Sequence, residues 1–283
     1  MEKKTIWITG SEGKLGGALI RTLQKMEKYY VVGTDMDVDI TSMEAVMAAA
    51  RSIEPNIVIN CAAISDSDYC EEHMLDAYRV NAIGARNMAT VARQREAKII
   101  HISTDDVFED GSLEPKTEFD TPSPKSVYGK SKLAGENYVK ELNPRHVIIR
   151  SSWIYGMGKE DYFTYVVEHG KKEEAFSAPL DKLSTPTPVT ELVRFILLML
   201  ESKEYGTFHC ACTGACSRQD FAKAILQYMG YGRYLANGVF SNQNNMVTST
   251  VLENLMMELT GIYQMPSWEQ ALEEYAVAYR EAD

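Results

Sequence analysis

Short apolar runs alternate with helically spaced apolar residues through the first half of the chain. Five runs predict buried strands at 5–9, 30–34, 56–60, 98–103 and 147–150. Helical spacing predicts helices that begin near Leu15 and that cover 43–53, 75–95 and 128–142. Strands that are apolar on both faces and separated by helices form parallel sheets covered on both sides. The pattern therefore predicts an α/β fold with a doubly wound parallel sheet.

The pattern changes after Gly156. The stretch 159–188 is polar, contains prolines and has no clear period, and 231–250 is polar and rich in loop formers. Helices are predicted at 189–200, 217–229 and 268–279, with a short strand at 207–209. We expect two parts, 1–156 and 157–283, the second a smaller C-terminal α/β lobe that binds substrate. Parts of the chain are expected to cross back to the first domain.

Composition narrows the class of protein. Of the 283 residues, 24% are charged and 45% hydrophobic, which excludes a disordered chain, and the net charge of −11 argues against nucleic-acid binding. No apolar stretch approaches the ~20 residues that span a bilayer, and the start of the chain lacks a signal peptide, so no membrane partner and a cytoplasmic location are expected. Five cysteines, an odd number, fit reduced thiols.

A glycine-rich loop joins the first strand to the first helix. Gly10, Gly13 and Gly16 give Gly-x-x-Gly-x-x-Gly, a spacing that also occurs in ordinary turns. Such a loop lets backbone approach a pyrophosphate at a helix N-terminus. It predicts a dinucleotide-binding domain of the Rossmann type at 1–156. The candidate cofactor residues of this loop are Gly10, Ser11, Glu12, Gly13, Lys14, Leu15 and Gly16.

Asp35 closes the second strand, where a carboxylate can accept hydrogen bonds from ribose hydroxyls and would repel a 2′-phosphate. The cofactor is therefore predicted to be NADH or NADPH, with NADH slightly favoured. Lys14 could partly offset that preference.

Tyr128 and Lys132 lie four residues apart and hence on one helical face. A nearby ammonium would lower the pKa of the phenol, and Lys132 could also hold the nicotinamide ribose. Alone, such a pair is also typical of a solvated helix face. Ser103 and Thr104 end the fourth strand nearby, so Thr104 could hold a substrate oxygen while Tyr128 passes it a proton. Together these groups predict carbonyl reduction.

The segment from His209 to Cys216 contains soft metal ligands in the pattern His-Cys-x-Cys-x-x-x-Cys. Zinc sites usually have paired Cys-x-x-Cys spacings, which are missing here. Buried thiols are the favoured interpretation, and no metal site is predicted.

These residues resemble the extended short-chain dehydrogenase/reductase family, and within it most the dTDP-4-dehydrorhamnose reductases. The likeness covers nearly the whole chain and is most specific over 5–156. Its carriers are the glycine loop, Asp39-Ile40-Thr41, Asn60-Cys61-Ala62-Ala63, Val80-Asn81-Ala82, Ser103-Thr104-Asp105, the segment from Tyr128 to Glu136, the segment from Arg150 to Gly156, Thr185-Pro186-Thr187 and Pro266-Ser267-Trp268.

The resemblance implies reduction of the 4-keto group of a deoxyhexose attached to dTDP, in the synthesis of dTDP-L-rhamnose and cell-surface polysaccharide precursors. A keto-sugar or nucleotide-sugar is the implied partner, and a homodimer is allowed for. Catalytic roles are implied for Thr104, Tyr128 and Lys132. Cofactor contacts are implied for the glycine loop, Asp35, Asp39, Ile40, Ala62, Ala63, Asn81, Ser103, Tyr128 and Lys132. Substrate contacts are implied for Ser65, Ser67, Thr104, Asp105, Tyr128 and Trp153.

Four positions depart from that family's pattern. Asp106 replaces a tyrosine, Lys182 a glutamine and Arg218 a tryptophan, and Met246-Val247 replace an Arg-Pro pair whose arginine helps to hold the substrate nucleotide. A diphosphate needs a cation or N–H groups nearby. The missing arginine predicts a raised KM for a dTDP-sugar unless Lys182 or Lys159 substitutes.

Two alternatives stay open. Dehydratases of this fold carry acidic residues beside the catalytic threonine, where Asp105 and Asp106 stand, so an epimerase or dehydratase is the first. A non-catalytic cofactor-binding relative is the second, against which the presence of Thr104, Tyr128 and Lys132 argues.

Overall fold

The computed structural model describes residues 3–109, 111–156, 160–242 and 246–282. Its strands are β1 (Lys4–Thr9), β2 (Tyr29–Thr34), β3 (Ile57–Asn60), β4 (Lys98–Thr104), β5 (His146–Ser151), β6 (Ile154–Tyr155), β7 (Phe176–Pro179), β8 (Lys182–Ser184), β9 (Thr187–Pro188), β10 (Gly206–His209), β11 (Cys216–Ser217), β12 (Ala236–Val239) and β13 (Thr248–Ser249). Its α-helices are α1 (Lys14–Leu23), α2 (Met43–Ile53), α3 (Ser67–Glu72), α4 (Met74–Tyr78), α5 (Ala85–Gln94), α6 (Val127–Leu142), α7 (Tyr162–Lys172), α8 (Val189–Glu201), α9 (Arg218–Tyr228), α10 (Leu255–Thr260) and α11 (Trp268–Ala282).

The main sheet has six strands in the order β10-β5-β4-β3-β1-β2. β1 pairs in parallel with both β2 and β3, and β3 pairs in parallel with β4. Helices connect these strands, as a parallel crossover requires. The predicted fold class, a doubly wound parallel sheet of the Rossmann type, is confirmed. Its strands carry the glycine loop and Thr104 at their carboxyl ends, the edge where sheets of this kind bind ligands.

One face of this sheet packs against α2, α5 and α6. Trp7, Val58, Ile99 and Ile148 contribute the strand side of that core, and all four are fully buried. Burying an aliphatic side chain of this size stabilises the fold by roughly 1.5–3 kcal/mol. The three helices are therefore fixed on the strands, and with them the side chains that α5 and α6 carry.

The chain forms two compact units. The first comprises 1–110, 121–150 and 193–208, and the second comprises 111–120, 151–192 and 209–283. In the second unit, β8 lies between β11 and β13, β7 pairs with β12, and β6 pairs with β9. Helix α9 packs against α7, α11 and β7 within the same unit. The two domains expected from the sequence, 1–156 and 157–283, stay a prediction.

Two stretches differ from the sequence-based expectation. The predicted helix 75–95 contains a π-helical segment, Arg79–Gly84, between α4 and α5. The region 160–188, in which the sequence shows no clear period, forms α7 and three short strands. The buried residues of α7 follow a helical spacing, Phe163, Val166, Val167 and Gly170, which the many polar neighbours obscure.

Candidate active site

The glycine loop is shaped by two close backbone approaches. Gly10 has a φ of +66°, where a side chain is strained, and a Cβ there would lie 2.8 Å from the backbone nitrogen of Ala62. A Cβ on Gly16 would lie 2.1 Å from the carbonyl oxygen of Gly10. Gly13 is the N-cap of α1 and offers no side chain to cap it. The amino end of α1 is thus built as a backbone cradle, which fits a pyrophosphate.

Asp35 is tied to this loop. Its Oδ2 atom accepts a hydrogen bond from the backbone N–H of Glu12 at 2.9 Å, while the N–H of Ser11 donates to the carbonyl of Thr34 at 3.1 Å. The structure therefore brings Ser11, Glu12 and Asp35 together as the sequence predicted. A carboxylate held at this position presents negative charge beside the loop.

Asp39 and Ile40 precede α2 and are fixed locally. Asp39 Oδ1 accepts hydrogen bonds from the backbone and the hydroxyl of Thr41, both at 2.8 Å. The Nδ2 of Asn87 donates to the carbonyls of Ile40 and Thr41, both at 3.0 Å. Sequence reasoning missed Asn87, whose signal was a polar residue on an otherwise alanine-rich helix face.

Asn81 organises the loop that follows β3. From the π-helical segment its side chain accepts from the N–H of Ile64 and donates to the carbonyl of Ile64, both at 2.9 Å. It also donates to the hydroxyl of Ser131 on α6 at 3.0 Å. One side chain thus links this loop to the helix of Tyr128. The predicted site residues in the loop are Ala62, Ala63 and Ser65.

Thr104 and Tyr128 are brought together in the first unit. Ser126 caps the start of α6 by accepting from the N–H of Gly129 at 3.1 Å, which sets Tyr128 in the first turn. Thr104 ends β4, and its side chain lies near enough to Tyr128 to act on the pKa of the phenol. The Thr104 hydroxyl also donates to Asp105 Oδ1 at 3.3 Å. Two hydroxyl groups are therefore adjacent, as hydrogen bonding to one carbonyl oxygen requires.

The expected lowering of the Tyr128 pKa is wrong for this structure. Desolvation raises the pKa of Tyr128 above its ordinary value of 10.0, and Asp106 and Asp105 raise it further, while the side chain of Thr104 lowers it. The main reason is that burial of the phenol disfavours its charged form, and the neighbouring carboxylates add to that effect. A raised pKa keeps the phenol protonated at neutral pH, so Tyr128 holds a proton to donate.

Lys132 is buried on the same face of α6, and its Nζ donates to the carbonyl of Ile102 on β4 at 2.6 Å. Burial lowers the pKa of Lys132 to about 8, although the carboxylate of Glu136 acts to raise it. Its ammonium is thus held against the backbone of β4.

Glu136, which sequence reasoning missed, braces α6 against the sheet. Arg150 donates to it twice, through Nε at 2.9 Å and Nη2 at 2.7 Å, and the Ser103 hydroxyl donates at 2.6 Å. Burial would raise the pKa of Glu136, but the hydrogen bonds and charge of Arg150 lower it to about 2. The signal available in the sequence was the fourfold spacing Tyr128, Lys132, Glu136. The hydroxyl of Ser103, predicted to face the cofactor, is directed to this brace.

The remaining residues predicted to contact substrate come from three separate segments of the chain. Ser65 and Ser67 are exposed, with Ser67 at the start of α3, and Asp105 is buried directly after β4. Trp153 belongs to the second unit and has an unusual φ of +35°. Lys159, suggested as a substitute cation, lies outside the described residues.

The cysteines are unpaired thiols, and those at 70, 210, 212 and 216 are buried. Burial raises the pKa of the Cys212 thiol to about 12, which keeps it protonated. Over the described parts of the chain, no three His, Cys, Asp or Glu side chains converge as a metal ion would require. In the same parts, no helix combines the length and the apolar character needed to cross a membrane.

Known proteins are similar to this chain in sequence and fold. Residues 4–281 match the family described as the RmlD substrate binding domain. The spore coat polysaccharide biosynthesis protein SpsK of Bacillus subtilis is 30% identical, over 95% of this chain and 96% of that protein. A dTDP-4-dehydrorhamnose reductase of Bacillus anthracis, in complex with NADP, superposes with a TM-score of 0.92 at 36% identity, covering 98% and 99% of the two chains. One from Clostridium acetobutylicum gives 0.90 at 39% identity, with the same coverage.

Proposed function

The chain belongs to the family of the RmlD substrate binding domain, and from that premise we propose that it is an NAD(P)H-dependent reductase of a keto-deoxysugar. The reaction resembles that of dTDP-4-dehydrorhamnose reductase, in the synthesis of rhamnose or polysaccharide precursors. The observation that carries the proposal is the proximity of the Thr104 and Tyr128 side chains, with Lys132 one helical turn further on.

In this mechanism the substrate carbonyl oxygen accepts hydrogen bonds from the hydroxyls of Thr104 and Tyr128. When bound, NAD(P)H supplies a hydride to the carbonyl carbon. Tyr128 gives its phenolic proton to the oxygen, so the ketone becomes a secondary alcohol. The raised pKa keeps that proton in place before the reaction. Lys132, fixed by the carbonyl of Ile102, is left for the cofactor ribose.

The backbone cradle of the glycine loop would hold the cofactor, beside the loops that contain Asp39, Ile40 and Asn81. We expect NADH to bind at least as well as NADPH, because the carboxylate of Asp35 is held against the loop where a 2′-phosphate would meet it. Replacing Asp35 with serine should then favour NADPH, by roughly tenfold if one charge–charge contact of ~1.4 kcal/mol is relieved.

Fluorescence titration of both cofactors into the native protein and the Asp35→Ser variant measures this preference. Glu27→Ser is the matched control, because it removes an exposed carboxylate that precedes β2, at the opposite end of that strand from Asp35. A clear preference of the native protein for NADPH would show that Lys14, and not Asp35, governs the pocket.

The substrate-binding prediction concerns Met246. Its side chain is 63% exposed, and its backbone is held by both side-chain atoms of Asn242, at 2.7 and 3.0 Å. Arginine at this position would add a charged donor without disturbing the loop. Charge-assisted hydrogen bonds contribute roughly 1.5–3 kcal/mol, so Met246→Arg should lower the KM for a dTDP-4-keto-deoxysugar by about tenfold or more.

Steady-state kinetics decide the matter, with kcat expected to stay near that of the native protein because Thr104, Tyr128 and Lys132 are unchanged. Leu259→Arg, at an apolar position of the second unit that is 67% exposed, controls for the added charge. An unchanged KM for Met246→Arg would place the diphosphate elsewhere.

An epimerase or dehydratase remains the second candidate, because Asp105 and Asp106 adjoin Thr104. Those reactions return the cofactor to its starting state, whereas a reductase consumes one NAD(P)H for each ketone. Stoichiometric oxidation of NAD(P)H by a dTDP-4-keto-deoxysugar therefore supports the reductase, and rearrangement without net oxidation contradicts it.

A cytoplasmic location and a homodimeric assembly complete the proposal. The location follows from the intracellular supply of NAD(P)H and nucleotide-sugars on which such a reductase depends. Cell fractionation and light scattering of the purified protein test the two statements separately.

A further inference from the structure

Two cations occupy one end of the small sheet formed by β11, β8 and β13. Ser217 pairs with Leu183 in antiparallel register, so Arg218, which follows Ser217, and Lys182, which precedes Leu183, lie at the same end of the sheet. Thr248 of β13 pairs with Lys182 from the other side. Two carboxylates lie nearby in the sequence, and both accept local hydrogen bonds, Asp181 from the hydroxyl of Ser241 and Asp220 from that of Ser217.

The guanidinium of Arg218 is held by two aromatic rings. Its Cζ lies 3.8 Å from the ring centroid of Trp153 and 4.8 Å from that of Tyr162. All three side chains are half-buried. Contact with two rings restricts where the guanidinium can lie, so less side-chain freedom is lost when it binds an anion.

Trp153 itself is held in a strained conformation. Its φ of +35° is uncommon for a residue with a large side chain. Its carbonyl accepts a hydrogen bond from the N–H of Thr187 at 3.3 Å, which helps to hold that backbone. Strain of this kind clusters at ligand sites. Strain and stacking are independent observations, and both concern the surface that Trp153 and Arg218 share.

We propose that Arg218, with Lys182 beside it, binds the diphosphate of the nucleotide-sugar substrate. This inference rests on the proposed function and names the group that recognises the anionic part of its substrate. A planar guanidinium can donate two parallel hydrogen bonds to one phosphate. Met246, just before β13, stands where the family has an arginine that helps to hold the nucleotide. In this proposal Arg218 and Lys182, at the neighbouring strands β11 and β8, supply the positive charge that Met246 lacks.

Isothermal calorimetry with dTDP tests the assignment on the full-length protein. Arg218→Gln and Arg218→Met should each weaken dTDP binding by about tenfold or more, the loss expected for one charged hydrogen-bond donor. Arg218→Lys, which keeps the charge, should lose less. Arg233→Gln removes an exposed arginine of the same unit and should leave the dissociation constant within about twofold of the native value.

Thermal melting and NADPH affinity confirm that each variant is folded. The proposal is overturned if native protein does not bind dTDP, if Arg218→Gln binds it as tightly as native protein, or if Arg218→Met retains full affinity, since the arginine would then only pack on Trp153. Binding is measured without turnover, so absence of keto-sugar reduction contradicts the proposed function, while loss of the Arg218 dependence contradicts this inference alone.

Discussion

Tyr128→Phe is expected to reduce kcat by about 10²–10⁴, the usual contribution of a positioned general acid. The substitution removes one oxygen atom and leaves the ring in its partly buried place. Because the phenolic proton is the one delivered to the ketone, its loss should affect the chemical step. Cofactor affinity should stay nearly unchanged, since the pyrophosphate cradle lies at α1 and not at Tyr128.

Steady-state and single-turnover kinetics with a dTDP-4-keto-deoxysugar measure the first effect, and fluorescence titration with NAD(P)H the second. Tyr138→Phe, a half-buried tyrosine on the same helix, is the matched control and should keep full activity. If Tyr128→Phe retained near-normal turnover, the assignment of the proton donor would be wrong.

Glu136→Gln is expected to lower the free energy of unfolding by about 3–5 kcal/mol, the typical cost of leaving a buried charge without its partner. Arg150 is 1% exposed, and the amide would deprive its buried guanidinium of the Glu136 carboxylate. Urea unfolding followed by circular dichroism measures the loss. Lys140→Gln, which removes the partly exposed partner of Glu136 at 3.3 Å, should cost less than about 1 kcal/mol.

The brace also makes stability depend on pH. The folded-state pKa of Glu136, about 2, lies below the unfolded value of roughly 4.3. Its stabilising contribution is therefore fully present above pH ~4.3 and is lost as the pH falls toward 2. The difference between native protein and Glu136→Gln should narrow over that interval. A difference that stays constant between neutral and acidic pH would contradict the ion pair.

Local signals explain which elements the sequence predicted well. The helix 43–53 was predicted with both bounds correct, because Ser42 supplies the cap and Pro55 the stop. Parallel strands such as β4 are buried on both faces and read as continuous apolar runs. The strands β7, β8 and β9 have four residues or fewer, and their pairing depends on partners distant in sequence, so no local pattern marks them.

The candidate site was predicted as a set of residues but not as an electrostatic arrangement. Tyr128, Lys132 and Thr104 followed from spacing and from their order along strand and helix. The direction of the Tyr128 pKa depends on its burial and on Asp106, which only the three-dimensional structure provides. The stacking of Arg218 on Trp153, residues separated by 65 positions, was equally inaccessible to periodicity.

The π-helical segment between α4 and α5 changes the direction in which later side chains project from the helix axis. An α-helix advances about 100° per residue, so a turn that holds one extra residue rotates everything after it by that angle. One continuous helical stretch can therefore direct Asn81 towards the loop after β3 and still pack Met88 and Ala92 against the sheet. Deleting one residue within Arg79–Gly84 would remove this rotation. Either Asn81 would then lose its hydrogen bonds to the loop, or Met88 and Ala92 would lose their packing against the sheet. The number of residues between Asn81 and Met88 is thus as strictly constrained as the identity of those side chains.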